Sequence, residues 1–414
     1  MFFPINCMKK LTNKVGFWDA LVVTGALALG ALAFSNKDNQ LKVRDLYENI
    51  SPSKENVEFQ EKYGIPFTGG YQLARENGQL EDIIKVMNIE KRSKDFDLDF
   101  LKVRYNLGKD VDGNYQVKGE GVLAEDGVCL KKDCFDETIH HEIKHDKTYD
   151  VIKEHPSFLL DWVNIANRGL EGSAYVGEKW KEKLDSDDFV SNGFISAYSM
   201  SNELEDIAVL CAFAESNPNT IANDYFKNDK IKDKLDLASR VGLVPTEFTD
   251  YMKMSKKLKK VYGEELSRED YFAAVDSFLV ENPASIYESG LKYQKAELID
   301  METAVRTKRM KPELMGEQLA RKVDQQIDLY KDVLKSDFKR EIEYYFSLGN
   351  LGICNLKRAR VDGLTEKESS EYRDKAIVYF NAQEEFDRRK SAGDMNLTSV
   401  GVNDYLSEKG IDLK

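Results

Sequence analysis

The hydrophobic pattern of the chain begins with one long apolar stretch. Residues 15–35 read VGFWDALVVTGALALGALAFS, and three basic residues precede them: Lys9, Lys10 and Lys14. A basic flank before an apolar run is typical of a membrane-directed segment. The stretch is just long enough to cross a bilayer as a helix, while Ala31-Leu32-Ala33 offers a signal-peptide cleavage site. A buried core helix is the remaining alternative.

The next segments have different periodicities. Residues 36–60 are polar and charged without a sustained apolar face, which indicates a linker or stalk. From about Leu98 to Leu130, apolar and polar residues alternate, and Asp112-Gly113-Asn114 supplies a turn. We therefore expect a small β-sheet between residues 98 and 130.

From Asp136 onward, the apolar residues are spaced as in helices. The pattern predicts helices over 136–153, 156–168 and 202–215, followed by a series that ends near residue 389. A sheet followed by helices predicts the α+β fold class, with a transmembrane or signal helix at the N-terminus. Ser267 and Thr365 each stand three residues before an acidic residue and predict capped helix starts.

The C-terminal helices have aromatic and small residues at helical spacing. Leu348-Gly349, followed by Ala376 and Phe380, is loosely similar to the helix pairs of tetratricopeptide (TPR) repeats. An irregular helical bundle is an equal alternative. Because this half of the chain has no catalytic cluster, we interpret it as a recognition domain with a protein partner.

These patterns divide the chain into five parts. We expect a signal or anchor at 1–35, a linker and helical stalk at 36–94, the α+β domain at 95–265, a helical domain at 266–390 and a flexible tail at 391–414.

The charge and cysteine content narrow the possible partners and bonds. A formal net charge of −13 and a pI near 5.1 argue against nucleic acid as a partner, because such binding depends on clustered Lys and Arg. Five cysteines are an odd number and do not form a disulfide framework. Cys129 and Cys134 are close enough to pair in an oxidising compartment, or they are two free thiols.

The candidate chemistry lies in one short segment. Three of the four histidines occur in the sequence ETIHHEIKH, which ends at His145. On a helix, His141 and His145 project from one face and can bind one zinc ion, and Glu142 can take a proton from water at the metal. Ile139 and Ile143 give the same helix an apolar face. The alternative is a charged helix face that matches HExxH by chance.

Catalytic zinc requires a third protein ligand. The metzincin class is excluded, because Thr148 and Val151 stand where it has glycine and histidine. His155 follows the predicted helix and is a weak candidate. A stronger candidate is Glu205, which lies with Asp206 on a largely apolar helix capped by Ser201 or Asn202, because buried carboxylates require a metal or a paired charge. An exposed acidic helix N-terminus is the alternative.

HExxH followed some sixty residues later by a tyrosine and Glu-Asp-x-Ala resembles the gluzincin peptidases related to the anthrax lethal factor catalytic domain, and zinc-binding metallopeptidases with an EDxA third-ligand motif. The resemblance covers about residues 95–255 and implies a zincin-like domain with Glu205 as third ligand. It also implies that Tyr198 lies over the zinc and donates a hydrogen bond to the developing oxyanion. Val209 departs from the family, which usually has glutamate there. Asp206 and Asp146 are therefore the candidates to orient the ligand imidazoles.

The leading hypothesis is a zinc peptidase, either membrane-anchored through residues 15–35 or secreted, with an extracytoplasmic catalytic domain and a peptide or protein substrate. In this hypothesis, zinc is bound by His141, His145 and Glu205. Glu142 is the general base, and Tyr198 donates a hydrogen bond to the developing oxyanion. The alternative is a membrane-tethered helical-repeat scaffold with an inactive or structural zinc site. A structural site would require a fourth ligand, for which the candidates are His140, Cys134 and His155.

Overall fold

The computed structural model describes residues 52–65, 67–76, 79–92, 100–104, 121–124, 127–131, 136–183, 188–309, 316–336, 341–361, 363–391 and 398–411. The apolar stretch at 15–35 lies outside these residues, and so does Cys134, with its predicted pairing to Cys129. Within the described ranges, no helix is both long and apolar enough to cross a bilayer.

The first described helices form a small core together with the helix that carries the HExxH motif. The elements are α1 (Lys54–Tyr63), β1 (Phe67–Gly69), α2 (Tyr71–Glu76), α3 (Gln79–Glu90) and α4 (Asp136–Glu154). Phe59 and Tyr63 of α1 share one buried cluster with Ile139 and Ile143 of α4. Residues 54–90, which the sequence assigned to a stalk, therefore support the HExxH helix.

One small sheet lies beside this core. Its other strands are β2 (Phe100–Arg104), β3 (Gly121–Ala124) and β4 (Gly127–Lys131), in the order β1-β2-β4-β3. β2 pairs in parallel with both β1 and β4, while β3 and β4 are antiparallel. Leu101 in β2 is in register with Phe67 on one side and Val128 on the other.

The α+β fold class predicted from the sequence is wrong for the chain as a whole. Helices form most of the described structure, whereas the strands have only three to five residues each. The alternating pattern between residues 98 and 130 extends over few residues, while helical spacing continues from Asp136 almost to the C-terminus. The described structure is therefore predominantly α-helical.

The central helices form the largest core, which includes residues of α4. They are α5 (Phe158–Asn167), α6 (Asp188–Ser191), α7 (Glu203–Ser216), α8 (Pro218–Lys227), α9 (Asp229–Arg240) and α10 (Phe248–Tyr262), with short 3₁₀ helices at Gly177–Lys183 and Tyr198–Met200. α7 packs along α4. Ile207 and Cys211 of α7 and Val151 of α4 belong to the same buried cluster.

The remaining helices are α11 (Arg268–Glu281), α12 (Glu288–Arg309), α13 (Gly316–Lys335), α14 (Glu341–Arg358), α15 (Glu366–Ser391) and α16 (Thr398–Glu408). The central core continues through α11 into α12, so the predicted boundary at residue 265 falls inside it. A separate core is formed by residues from α12, α13, α14, α15 and α16. It includes Val402 and Leu406, which lie in the segment 391–414 that the sequence assigned to a flexible tail. Ser267 caps α11 and Thr365 caps α15, as predicted.

Candidate metal centre

Two histidines project from one face of α4. His141 and His145 are one helical turn apart, so their rings point in the same direction. The ring centroids are 4.6 Å apart and the two Nε2 atoms 3.1 Å apart. Both side chains are partly exposed, while Ile139 and Ile143 on the opposite face are fully buried, as predicted. The histidine pair is therefore open to solvent on a helix that is otherwise well anchored.

Glu205 reaches the histidine pair from the first turn of α7. Asn202 caps this helix by accepting a hydrogen bond from the Glu205 backbone N–H at 2.9 Å. The Glu205 side chain then extends toward α4, and its Oε2 lies 3.1 Å from Nε2 of His141 and 3.3 Å from Nε2 of His145. The structure thus brings together the three ligands predicted from the sequence.

The three donor atoms have the spacing that zinc requires. Zinc bonds of about 2.0–2.1 Å at tetrahedral angles place neighbouring ligand atoms about 3.3–3.4 Å apart. The Nε2 and Oε2 atoms of His141, His145 and Glu205 form a nearly equilateral triangle with sides of 3.1–3.3 Å. Two imidazoles and one carboxylate are also a usual donor set for catalytic zinc. The residues present therefore fit a zinc ion.

The charge state of Glu205 suits a metal ligand. Burial alone would favour the neutral acid, but hydrogen bonds from His141 and His145 outweigh burial and hold the pKa of Glu205 well below its usual range. Glu205 therefore presents an ionised carboxylate to the histidines.

Tyr198 stands next to the three ligands. It begins the 3₁₀ helix that precedes α7, and its ring centroid lies 6.2 Å from that of His141. Burial, the negative charge of Glu205 and a hydrogen bond to it raise the pKa of Tyr198, and the charge of Glu142 raises it further. Tyr198 therefore keeps its proton at neutral pH and can act as a hydrogen-bond donor.

Glu142 follows the ligand His141 directly in α4 and is nearly buried, with 7% of its surface exposed. One residue further along the helix, its side chain leaves α4 about 100° away from that of His141. Its negative charge contributes to the raised pKa of Tyr198.

The side of α4 turned away from the ligand triangle carries a buried ionic network. Nζ of Lys144 lies 2.8 Å from a carboxylate oxygen of Glu90 and 2.8 Å from one of Glu215, and Lys147 lies 2.7 Å from Glu90. All four side chains are almost completely buried. The network connects α4 to α3 and to the C-terminal end of α7, and so it fixes the rotation of α4 that directs His141 and His145 outward.

His140 belongs to this network and not to the ligand triangle. Its Nδ1 lies 2.8 Å from Glu90 and 3.3 Å from Glu215. Burial would lower the pKa of His140, but the hydrogen bonds to Glu215 and Glu90 raise it to about 9. The same three side chains are close enough to hold a metal, but Lys144 and Lys147 already neutralise both carboxylates. Because its carboxylates are already paired with lysines, this second group is a salt-bridge network.

The sequence offers two other candidates for a fourth ligand. His155 lies just beyond the end of α4 and is exposed, and Cys134 is outside the described residues. Among the side chains that the structure describes, the group around His141 contains three potential ligands. Three protein ligands are the number found in catalytic zinc sites, whereas structural sites have four.

Asp206 has a different partner from the one predicted. Its Oδ2 accepts hydrogen bonds from Trp162 Nε1 at 2.8 Å and from the Tyr175 hydroxyl at 3.0 Å, and it pairs with Lys234 Nζ at 2.7 Å. Because Asp206 is the residue after Glu205, its side chain leaves the helix in another direction and anchors the first turn of α7 to α5 and α9. Orientation of the imidazoles by Asp146 stays a prediction.

Sequence reasoning missed two features of the site. Lys144 and Lys147 lie in a run of charged residues that is typical of a solvated helix face, and their partner Glu90 is more than fifty residues away in the sequence. Trp180 had no recognisable motif, although it packs against Tyr198.

No protein-family model matches this chain, and comparison with curated proteins and with solved structures gives no match.

Proposed function

We propose that this chain is a zinc-dependent peptidase that hydrolyses peptide bonds in peptide or protein substrates. The observation that carries the proposal is the triangle of donor atoms from His141, His145 and Glu205. The resemblance of the HExxH and Glu-Asp-x-Ala segments to gluzincin peptidases supports the same conclusion.

His141, His145 and Glu205 would hold the zinc ion. Zinc bound there would supply Lewis acidity, which polarises the substrate carbonyl and lowers the pKa of water at the open position. Glu142 then acts as the general base, because its carboxylate accepts the proton as the water oxygen attacks the carbonyl carbon. Glu142 passes that proton to the departing amide nitrogen, so one water is consumed for each peptide bond that is cleaved.

Tyr198 supplies the second electrostatic contribution. Its hydroxyl is kept protonated by burial and by Glu205, so it can donate a hydrogen bond to the carbonyl oxygen as that oxygen becomes negative. Such a donor stabilises the transition state more than the substrate, because the charge develops only during the reaction.

Zinc content and peptide hydrolysis test the proposal together. We expect about one zinc per full chain by elemental analysis, and loss of that zinc in His145→Ala and in Glu205→Ala. Glu142→Gln should keep the zinc and lose hydrolysis of a mixed peptide library, because it removes the base and no ligand. A chelator should abolish hydrolysis, and added zinc should restore it.

Matched variants control for nonspecific effects. His155→Ala changes the exposed histidine outside the site, and Glu203→Gln changes an acidic residue in the same turn of α7 as Glu205. Both should retain zinc and activity. A wild-type chain without zinc, or zinc that survives Glu205→Ala, would contradict the assignment. Zinc without hydrolysis of any peptide would favour the scaffold with a structural or inactive site.

The location and protein partners follow from the sequence predictions. Residues 15–35 would anchor the peptidase in a membrane or direct its secretion, with the catalytic domain outside the cytoplasm. The C-terminal helices would bind a protein partner. Fractionation of cells, with protease added from outside, measures the first of these predictions.

A further inference from the structure

A chain of three aromatic rings leads outward from the ligand triangle. The ring of Tyr198 lies between those of His141 and Trp180, at centroid distances of 6.2 Å and 5.1 Å. The Trp180 and Tyr198 planes are 77° apart, so the rings make an edge-to-face contact. Trp180 is therefore connected to the ligand His141 through the ring of Tyr198.

Trp180 packs against buried residues and is itself partly exposed. It lies in the 3₁₀ helix Gly177–Lys183 and packs against a small buried cluster that contains Ala174, Phe194 and Met200. The indole is only partly buried, and Tyr198 is 39% exposed. A rigid aromatic surface that is partly exposed next to a reactive centre is suited to bind an apolar group of the substrate.

One ion pair lies beside Trp180. The ammonium of Lys181 lies 5.7 Å from the centroid of the Trp180 ring, and it also forms an ion pair with Glu178 at 2.8 Å. Lys181 and Glu178 together contribute no net charge beside the indole. This pair therefore leaves apolar contact as the interaction that the indole itself offers a substrate.

We propose that Trp180 is a specificity-determining residue. It forms the wall that receives the substrate side chain next to the scissile bond, and it selects peptides with a large apolar or aromatic residue there. This inference rests on the proposed peptidase function and adds a substrate class to it. Because Tyr198 hydrogen-bonds the reacting carbonyl in the proposed mechanism, a side chain adjacent to that carbonyl lies within reach of Trp180.

Paired peptides test the proposal on the zinc-loaded full chain. In one series, the residue before the cleaved bond is Phe, Leu, Ala or Asp. In the other series, the residue after the cleaved bond varies in the same way. We expect the wild type to prefer Phe over Ala by at least about tenfold in kcat/KM at one of these positions. Trp180→Ala should reduce that ratio to nearly one, and Trp180→Phe should keep most of it.

Binding provides a readout that does not depend on turnover. In the Glu142→Gln background, fluorescence anisotropy of a labelled Phe peptide should show weaker binding after Trp180→Ala, while the Ala peptide should bind equally to both proteins. Tyr262→Ala is the matched control, because it removes an exposed aromatic ring from the far end of α10. It should leave the Phe-to-Ala ratio unchanged.

The outcomes separate this inference from the proposed function. A wild type that cleaves none of the peptides would overturn both. Cleavage whose Phe-to-Ala ratio survives Trp180→Ala would overturn only the role of Trp180. If Trp180→Ala loses its zinc or its folded circular dichroism spectrum, Trp180→Gln replaces it, and a ratio equal to that of the wild type would then refute the proposal.

Discussion

Replacing Lys144 with methionine should destabilise the protein more than removal of any exposed charge from the same helix. Lys144 is completely buried, and its Nζ donates to Glu90, Glu215 and the Leu243 carbonyl oxygen at 2.7–2.8 Å. Burial opposes the charged amine, but Glu215 and Glu90 outweigh it and raise the pKa of Lys144 well above its usual value. Lys144 is therefore charged at every pH at which the protein is used.

The expected loss follows from what methionine leaves behind. Its volume is similar, so packing changes little, but two buried carboxylates lose their shared cation. Glu90 keeps Lys147 at 2.7 Å and His140 at 2.8 Å, whereas the ion-pair partner that Glu215 keeps among the described residues is His140 at 3.3 Å. Removing one partner of a buried ion pair lowers the stability of a protein by about 3–5 kcal/mol. We expect a decrease of this size in the free energy of unfolding, a large part of the roughly 5–15 kcal/mol of a typical domain.

Urea unfolding of the metal-free chain, followed by tryptophan fluorescence, measures this loss without a contribution from bound zinc. Lys153→Met is the matched control, because Lys153 pairs with Asp150 on the exposed end of α4. That pair contributes at most about 1 kcal/mol. Adding Glu215→Gln to Lys144→Met should restore part of the loss, because it removes the buried carboxylate whose remaining described partner is the more distant His140.

Two results would refute this reasoning. If Lys144→Met unfolds at the same urea concentration as Lys153→Met, the buried network does not stabilise the fold. If Glu215→Gln further destabilises the Lys144→Met protein, the lost stability does not come from an uncompensated carboxylate.

Three further predictions concern other parts of the molecule. Tyr198→Phe should lower kcat about 10²–10³-fold with zinc content unchanged, and an unchanged kcat would exclude the hydroxyl from catalysis. Gly352→Ala should lower the free energy of unfolding by about 1–3 kcal/mol, because its new Cβ would lie 2.6 Å from the Phe380 ring. Thermal unfolding measures this change. Gly316→Ala is the control, because no atom lies within 4 Å of its Cβ position. Burial raises the pKa of Cys354 to about 12, so alkylation at pH 8 should be about a thousandfold slower than for an ordinary thiol; rapid labelling detected by peptide mass mapping would contradict this burial.

The sequence alone was sufficient for the local features of the site. The spacing of His141 and His145 places both imidazoles on one face because α-helix geometry repeats every 3.6 residues. The cap at Asn202 likewise follows from the orphan N–H groups at a helix start, and it places Glu205 in the first turn of α7. These features depend on backbone hydrogen bonding over a few residues, so a short segment contains all the information they require.

How these segments meet depends on the packing of the whole fold. The sequence did not show that Glu90 would pair with Lys144 and Lys147, or that Trp180 would lie against Tyr198. It also gave the wrong fold class, because a short alternating segment does not determine how much of the chain packs as helices. Whether such long-range ion pairs and aromatic contacts form depends on how segments that are distant in the sequence pack together. A local pattern specifies the face of a helix, and the surface packed against that face decides whether its charges are solvated or buried.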